Sequence, residues 1–500
     1  MTVGLLIGCL GLRLTAATNL VVAGDDLQAK INAATSGDTL VVQSGTYPGN
    51  LSITKPLYLV CSGSGMVVLP NPVIINSPGF VHFSKFQIQS LATSTTNSSL
   101  RLVDSLIFGS LMHTGEMMLT DCVVSGDVTQ SKGKALLRRV QIGGVLTITD
   151  SSLDALRMTN MGRVNLVSTS ATNRPLALIV QSQMRAALVA DKYQLLTGYS
   201  FAQGFHLKDT ESKHVGLKVF YTTEVIPYYP PDSDDPYLVY KGCTTTKFYN
   251  NPSVRLDGGR HIFVGSKFLW SGNWRGDRGQ SVVILSHHSD ISIDNCDIFS
   301  WGTFSGWFDC GACGCYNGPF RSCGIYAVGG KVVVSNCFFQ LMNDSAGNVN
   351  SVVGILSFSK PQVSLTDSVV YATTWHPQEA NAIRTNSFNV KFTTENVVFG
   401  TNNVKTALIP PVKVDWTNQW DFQVSLVPNS PLINAGSKDP LKRNRDGSRN
   451  TIGSTGGPMY NPALATTDLP MAFWLGLMPQ RIVKGLVNTV DLDTAAAAGH

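Results

Sequence analysis

Ile293-Asp294-Asn295-Cys296-Asp297-Ile298 and Val334-Ser335-Asn336-Cys337-Phe338-Phe339 are two wordings of one phrase: a strand end, a polar corner and a new strand. The phrase returns as Val103-Asp104-Ser105-Leu106-Ile107, Thr120-Asp121-Cys122-Val123-Val124, Leu365-Thr366-Asp367-Ser368-Val369-Val370 and Thr394-Glu395-Asn396-Val397-Val398. Asp104 and Asp121 are 17 residues apart, whereas Cys296 to Cys337, Cys337 to Ser368 and Ser368 to Asn396 are 41, 31 and 28. Unequal spacing around a constant phrase means that loops of different length enter at a fixed corner. A chain that revisits one corner per turn, with Val, Ile, Leu and Phe on both sides, is a coil whose inward side chains stack on those of the next coil. Asn and Asp suit that corner because they tolerate left-handed backbone and hydrogen-bond it locally.

Composition agrees with an all-β solenoid. Charged residues make up 14% of the 500-residue chain, against about a quarter in ordinary soluble domains. The 46 glycines, with abundant Ser, Thr and Asn, favour short strands and turns over long surface helices. Hydrophobic residues at 43% exclude general disorder, and 38 Lys+Arg against 33 Asp+Glu leave +5, too slight a balance for a nucleic-acid footprint. One short helix is expected near the start, where Asp25 or Asp26 caps a segment with Leu27, Ile31 and Ala34 on one face. It would cover the first rung.

The stretch that follows contains Gly37-Asp38-Thr39, Gly45-Thr46-Tyr47 and Ile53-Thr54-Lys55-Pro56-Leu57, and it resembles the first rungs of pectate-lyase-like right-handed parallel β-helices. Ser430-Pro431, Asn434-Ala435-Gly436, Asp446-Gly447-Ser448-Arg449 and Ile452-Gly453 resemble the closing segment of many exported bacterial β-helix proteins. The resemblance implies a single-stranded right-handed parallel β-helix with an N-terminal capping helix and a small C-terminal β tail. It specifies fold rather than activity, since the scaffold carries lyases, hydrolases, esterases and adhesins.

The expected layout is a signal peptide over 1–18, a cap and first rung over 19–50, the β-helix over 51–458 with an inserted loop region at about 184–260, and a tail over 459–500. The signal reading rests on the apolar run Val3 to Leu12 followed by Thr15, Ala16 and Ala17, without a basic n-region; it places the protein outside the cell or on its surface. No later segment is apolar for long enough to span a bilayer. Pro227, Pro230, Pro231 and Pro236 among Tyr228, Tyr229, Tyr237 and Tyr240 read as a protruding loop. Cys310, Cys313, Cys315 and Cys323 fit two local disulfides, a zinc knuckle or free thiols.

Chemistry is expected where polar and aromatic residues are densest, between residues 260 and 310. For lyase-type cleavage of an acidic polysaccharide, a base must take the proton beside a uronate carboxylate and cations must neutralise that carboxylate. Lys267, Arg275 and Arg278 supply charge, His287, His288 or Lys267 a base, and Trp270, Trp274, Trp301, Trp307 and Asp297 a binding surface. The wording around Asp294 to Gly302 is similar to a pectate lyase segment, but Asn295 stands where that segment has histidine and the spacing is one residue longer. No motif specifies a cofactor; calcium is the ion that corner aspartates would suit, although Asn444-Arg445-Asp446-Gly447 is too short for an EF-hand loop. The rival reading is a non-catalytic surface, structural or adhesin-like solenoid, with assembly into oligomers through the 184–260 region.

Overall fold

The computed structural model describes residues 16–93, 95–170, 172–220, 252–275, 281–305, 322–343, 352–358, 361–374, 381–385, 391–403, 412–418, 421–460, 471–478 and 491–497. The chain divides into two compact units, residues 1–136 and 137–500. Both are right-handed parallel β-helices, the hand that parallel crossovers adopt.

In the first unit, Leu40, Leu59, Phe83, Leu102 and Leu119 are register partners on successive rungs, and all are buried. The helix Leu27–Ala33 forms as expected: Asp26 accepts from Ala29 N, and Leu27 and Ile31 are buried. Gln28 reaches the strand Leu51–Ile53, donating to Ser52 O and accepting from Ser52 N at 3.0 and 2.7 Å. The helix thus satisfies one residue of an edge that would otherwise be unpaired.

In the second unit each coil has three strands. Phe205, Val254, Ile284, Ile325 and Ile355 stack inside from the first strands, and Phe263, Ile293, Val334 and Leu365 from the second. Phe268, Ile298, Phe339 and Val370 do so from the third. Two corners are tight, such as Gly258-Gly259 and Gly265-Ser266. The third, between the third strand of one coil and the first of the next, takes the connections from Phe220 to Val254, Ser305 to Ser322 and Asn343 to Val352, while one longer connection, Val167 to Leu176, enters between a first and a second strand. That corner sets the uneven spacing of the repeated phrase.

The phrase itself is a hydrogen-bonded device. Asp104, Asp121, Asn295, Asn336, Asp367 and Asn396 all have φ between 47° and 53°. The next residue is most often Ser or Cys, whose side chain donates to the carbonyl two residues back: Ser105 to Val103 O, Cys296 to Asp294 O, Cys337 to Ser335 O, Ser368 to Thr366 O. It also accepts from the preceding rung, as in Cys337 N to Ser368 Oγ at 3.0 Å. Cys296 and Cys337 are therefore corner donors as well as buried apolar groups. The stretches 184–220 and 252–260, expected as an insertion, run as regular rungs. Their left-handed corners are held by Lys192, Tyr199, Asp209, Gly216 and Gly258, which hides the phrase from the eye.

Beyond the last rung, an antiparallel hairpin of Val412–Asn418 and Asp421–Leu426 lies over the outer side of the third strands. Phe422, Val412 and Val424 pack there with Phe220, Leu269, Phe299, Phe338 and Val369. The closing segment then hydrogen-bonds the corner ladder. Asn295 Nδ2 donates to Ser454 O at 3.0 Å, Asn336 Nδ2 to Thr451 O and Asn450 Oδ1 at 2.9 Å, and Ser437 N to Asp367 Oδ1 at 2.7 Å. Gly457 has φ +80°, and a Cβ there would sit 2.6 Å from Asn336 Oδ1, so only glycine lets the backbone approach. Asp439, Asp446 and Arg449 form a local turn and cap network. Met471–Met478 pairs antiparallel with Asp491–Ala497, the expected tail.

Candidate functional site

The site residues named from sequence separate. Lys267 opens a third strand, in register with Asp297 on the next rung. Its ammonium donates to Phe422 O and lies 5.2 Å from that ring, so the hairpin already engages its charge. Asp297 is 7% exposed; burial pushes its carboxyl up to about 6 against the influence of the nearby Ser454 hydroxyl and the attraction of Lys267. Trp270 is 0% exposed and offers no free face to a sugar. Lys267 and Asp297 therefore lie beneath the chain's own C-terminal segment rather than in an open groove, because the outer side of the third strands is apolar enough to need a cover, whereas Trp270 shares the inward side of its strand with Phe268 and is buried in the coil. Trp274, Arg275 and Trp301 sit on strand backbone whose side chains are not described, and Arg278 and Trp307 lie outside the described residues. So do the expected signal segment up to residue 15, the Pro227 to Tyr240 loop, and Cys310, Cys313 and Cys315. Cys323 is a buried strand residue with a free thiol, pushed up to about 12 by burial, and not part of a loop staple.

His287 keeps partial exposure, and around it the sequence reading missed a group of polar residues on the outer side of the first strands. Lys208, Asp257 and His287 are register partners on three successive rungs, with Asp191 before them; His206 and Arg255 occupy the neighbouring column. Rungs lie about 4.8 Å apart, so these groups form one continuous strip. His206 Nε2 and Arg255 Nε each meet Asp257 Oδ2 at 2.8 Å. Burial disfavours the Asp257 anion, but the His206 and Arg255 contacts outweigh it and lower its pKa to about 2. His287 also meets the His288 ring at 4.5 Å, edge to face. His206 is 49 and 51 residues before Arg255 and Asp257 in the chain, and only register brings it to them.

A second polar group is enclosed in the coil. Thr197 Oγ1 meets His214 Nδ1, His214 Nε2 meets Ser212 Oγ, and Ser212 Oγ meets His261 Nδ1, each at 2.8 Å. His261 Nε2 donates to Gly258 O at 2.9 Å. One set of tautomers satisfies the chain with both imidazoles neutral: each ring donates from Nε2 and accepts at Nδ1. Burial lowers His261 to about 4 and His214 well below its ordinary value. Ser212 and these histidines are buried away from any substrate, so their Ser-His arrangement is structural.

Stacked parallel strands, inward aliphatic columns and a left-handed corner ladder are now all placed. The fold is a right-handed parallel β-helix. Neither a protein-family model nor a curated protein matches the sequence. Among solved structures the chain is similar to a pectate lyase, at 12% identity and TM-score 0.20 over 88% of this chain and 96% of that one. It is similar to a PL6-family polysaccharide lyase from Pseudopedobacter saltans at 10% identity and TM-score 0.24, over 76% and 92% of the two chains. The A-module of a mannuronan C-5 epimerase from Azotobacter vinelandii matches at 12% identity and TM-score 0.16, over 74% and 93%. Likeness this low says nothing of activity.

On this β-helix, the described residues bring together no group of three or more His, Cys, Asp or Glu suited to a metal ion. The calcium expectation has no donor set among them: Asp104, Asp121 and Asp367 hold corners. No described helix is long and apolar enough to cross a membrane.

Proposed function

We propose that the chain binds an acidic polysaccharide along the outer face of the first strands in residues 188–328 and cleaves it by β-elimination. What supports this reading is the alignment of Lys208, Asp257 and His287 on successive rungs with Arg255 and His206 beside them. Asp257 stays ionised at any physiological pH and fixes the Arg255 and His206 side chains, so the strip is ordered before a ligand arrives. Lys208, exposed at the strip's edge, would hold a uronate carboxylate. His287 would take the proton next to that carboxylate while the C–O bond on the adjacent carbon breaks and the departing glycosidic oxygen gains a proton from water, yielding an unsaturated sugar end and a new hydroxyl end. This assigns His287 the base role expected from sequence and gives the cationic role of Lys267, Arg275 and Arg278 to Lys208 and Arg255.

The test is incubation with a panel of polygalacturonate, alginate and hyaluronate, followed by ultraviolet absorbance of the unsaturated product and by retention in gels containing each polymer. His287→Ala should remove product while keeping retention, and Lys208→Ala should weaken both. Retention without product would make the chain a binding module. Neither retention nor product on any polymer would overturn the reading.

A further inference from the structure

The first unit carries a patch that its fold does not need. Tyr58, His82 and Arg101 are register partners on three successive rungs, and Phe80 shares their side of the sheet two residues before His82. The Tyr58 and Phe80 ring centroids are 5.2 Å apart, Tyr58 and His82 6.0 Å, and Phe80 and His82 6.2 Å with planes within 9° of parallel. Behind them Leu59, Phe83 and Leu102 fill the coil, so the outer rings are not core. Tyr58 is 41% exposed, and Arg101 is exposed with no ion pair among the described residues. Burial and the charge of Arg101 lower the His82 pKa, which leaves that ring neutral at pH 7. The backbone here is paired to a rung on each side, so an added peptide strand has no edge to join.

We infer that this patch is a second contact surface for an acidic saccharide, with Tyr58 and Phe80 as a platform for the apolar face of a sugar and Arg101 as the partner of its carboxylate. Aromatic rings meet sugars through their C–H faces, and a guanidinium meets a carboxylate through two parallel donors. Successive outward positions recur once per rung, a step comparable with one pyranose ring. The inference rests on the acidic-polysaccharide reading above and adds a separate site to it.

Retention of the full chain in gels containing polygalacturonate, alginate or hyaluronate, and in a gel of methyl-esterified polygalacturonate, tests it. Tyr58→Ala with Arg101→Ala should weaken retention on the acidic polymer by about three- to tenfold. Arg101→Ala alone should reduce the preference for acid over ester, and both variants should melt as the parent does, because the side chains are exposed. If retention equals that of the parent, the patch is not a saccharide surface. Loss with Lys208→Ala but not with the patch variants overturns this inference alone; the converse overturns the first-strand site alone. A parent that no acidic polymer retains, or that binds anionic lipid vesicles through Tyr58 and Arg101 instead, overturns the patch as proposed.

Discussion

Asn336 shows how much one corner residue holds. It occupies left-handed backbone at φ 48°, and its amide bonds two positions of the closing segment. Asn336→Ala should lose about 2–4 kcal/mol, combining the left-handed penalty with two buried hydrogen bonds, and Asn336→Gly clearly less. Urea unfolding of the two variants checks the order. Inside the coil, His261 carries a separable pH signature. Its folded pKa near 4 lies below the ordinary 6.5, so the unfolded chain binds more protons between those values. The stability it contributes is present above pH 6.5 and lost as pH falls toward 4. Relative to His261→Gln, the parent should lose ground across that window; parallel stability curves would show that the ring is not held neutral. Corners written Asp, Asn, Ser or Cys were legible from sequence, because those residue types state the conformation. Corners at Lys192 and Tyr199 were not, because stacking imposes a conformation their residue types do not declare.

The third strands of the second unit explain why the sequence pointed to the wrong face. Phe299, Phe338 and Val369 face outward yet are buried, so these strands have two covered sides and lose the alternation of a half-exposed strand. Lys267, Asp297 and Trp270 stood out as a rich cluster because Trp270 points into the coil and the cover over the other two lies far downstream, at Phe422, 155 residues beyond Lys267. Phe422→Ala should cost about 3–5 kcal/mol, the range for a large ring removed from a packed interior, and should be read in the melting curve. Asp297 gives an opposite sign. Its pKa is raised from 3.8 to about 6, so its ionisation weakens the fold as pH rises through that interval. Asp297→Asn should therefore stabilise the chain at pH 7 by on the order of 2 kcal/mol and have no such effect below pH 3.8. A variant less stable than the parent at pH 7 would mean that the carboxylate, rather than its neutral form, is what Ser454 and Lys267 hold.

At the scale of the whole chain, a solenoid is stabilised rung against rung, so where a buried residue lies decides how far damage spreads. Both Val334 and Phe338 are buried and only four residues apart, but Val334 stacks between Ile293 and Leu365 inside the coil while Phe338 packs outward against the hairpin and closing segment. The repeated phrase placed both in one interior; only the hairpin, which carries no repeat, separates them. A carboxylate at Val334 would enter a dry column with no partner, at a cost of several kcal/mol against a total stability of roughly 5–15. Val334→Asp should abolish cooperative folding of the second unit. Phe338→Asp places its charge under a cover that can lift, so the coil should persist while the hairpin detaches. Limited proteolysis distinguishes them: cleavage throughout residues 137–403 for Val334→Asp, and cleavage confined to 404–460 for Phe338→Asp, with the parallel-strand circular dichroism retained. Equal, global loss of structure in both variants would mean that the hairpin belongs to the cooperative unit of the coil rather than lying upon it.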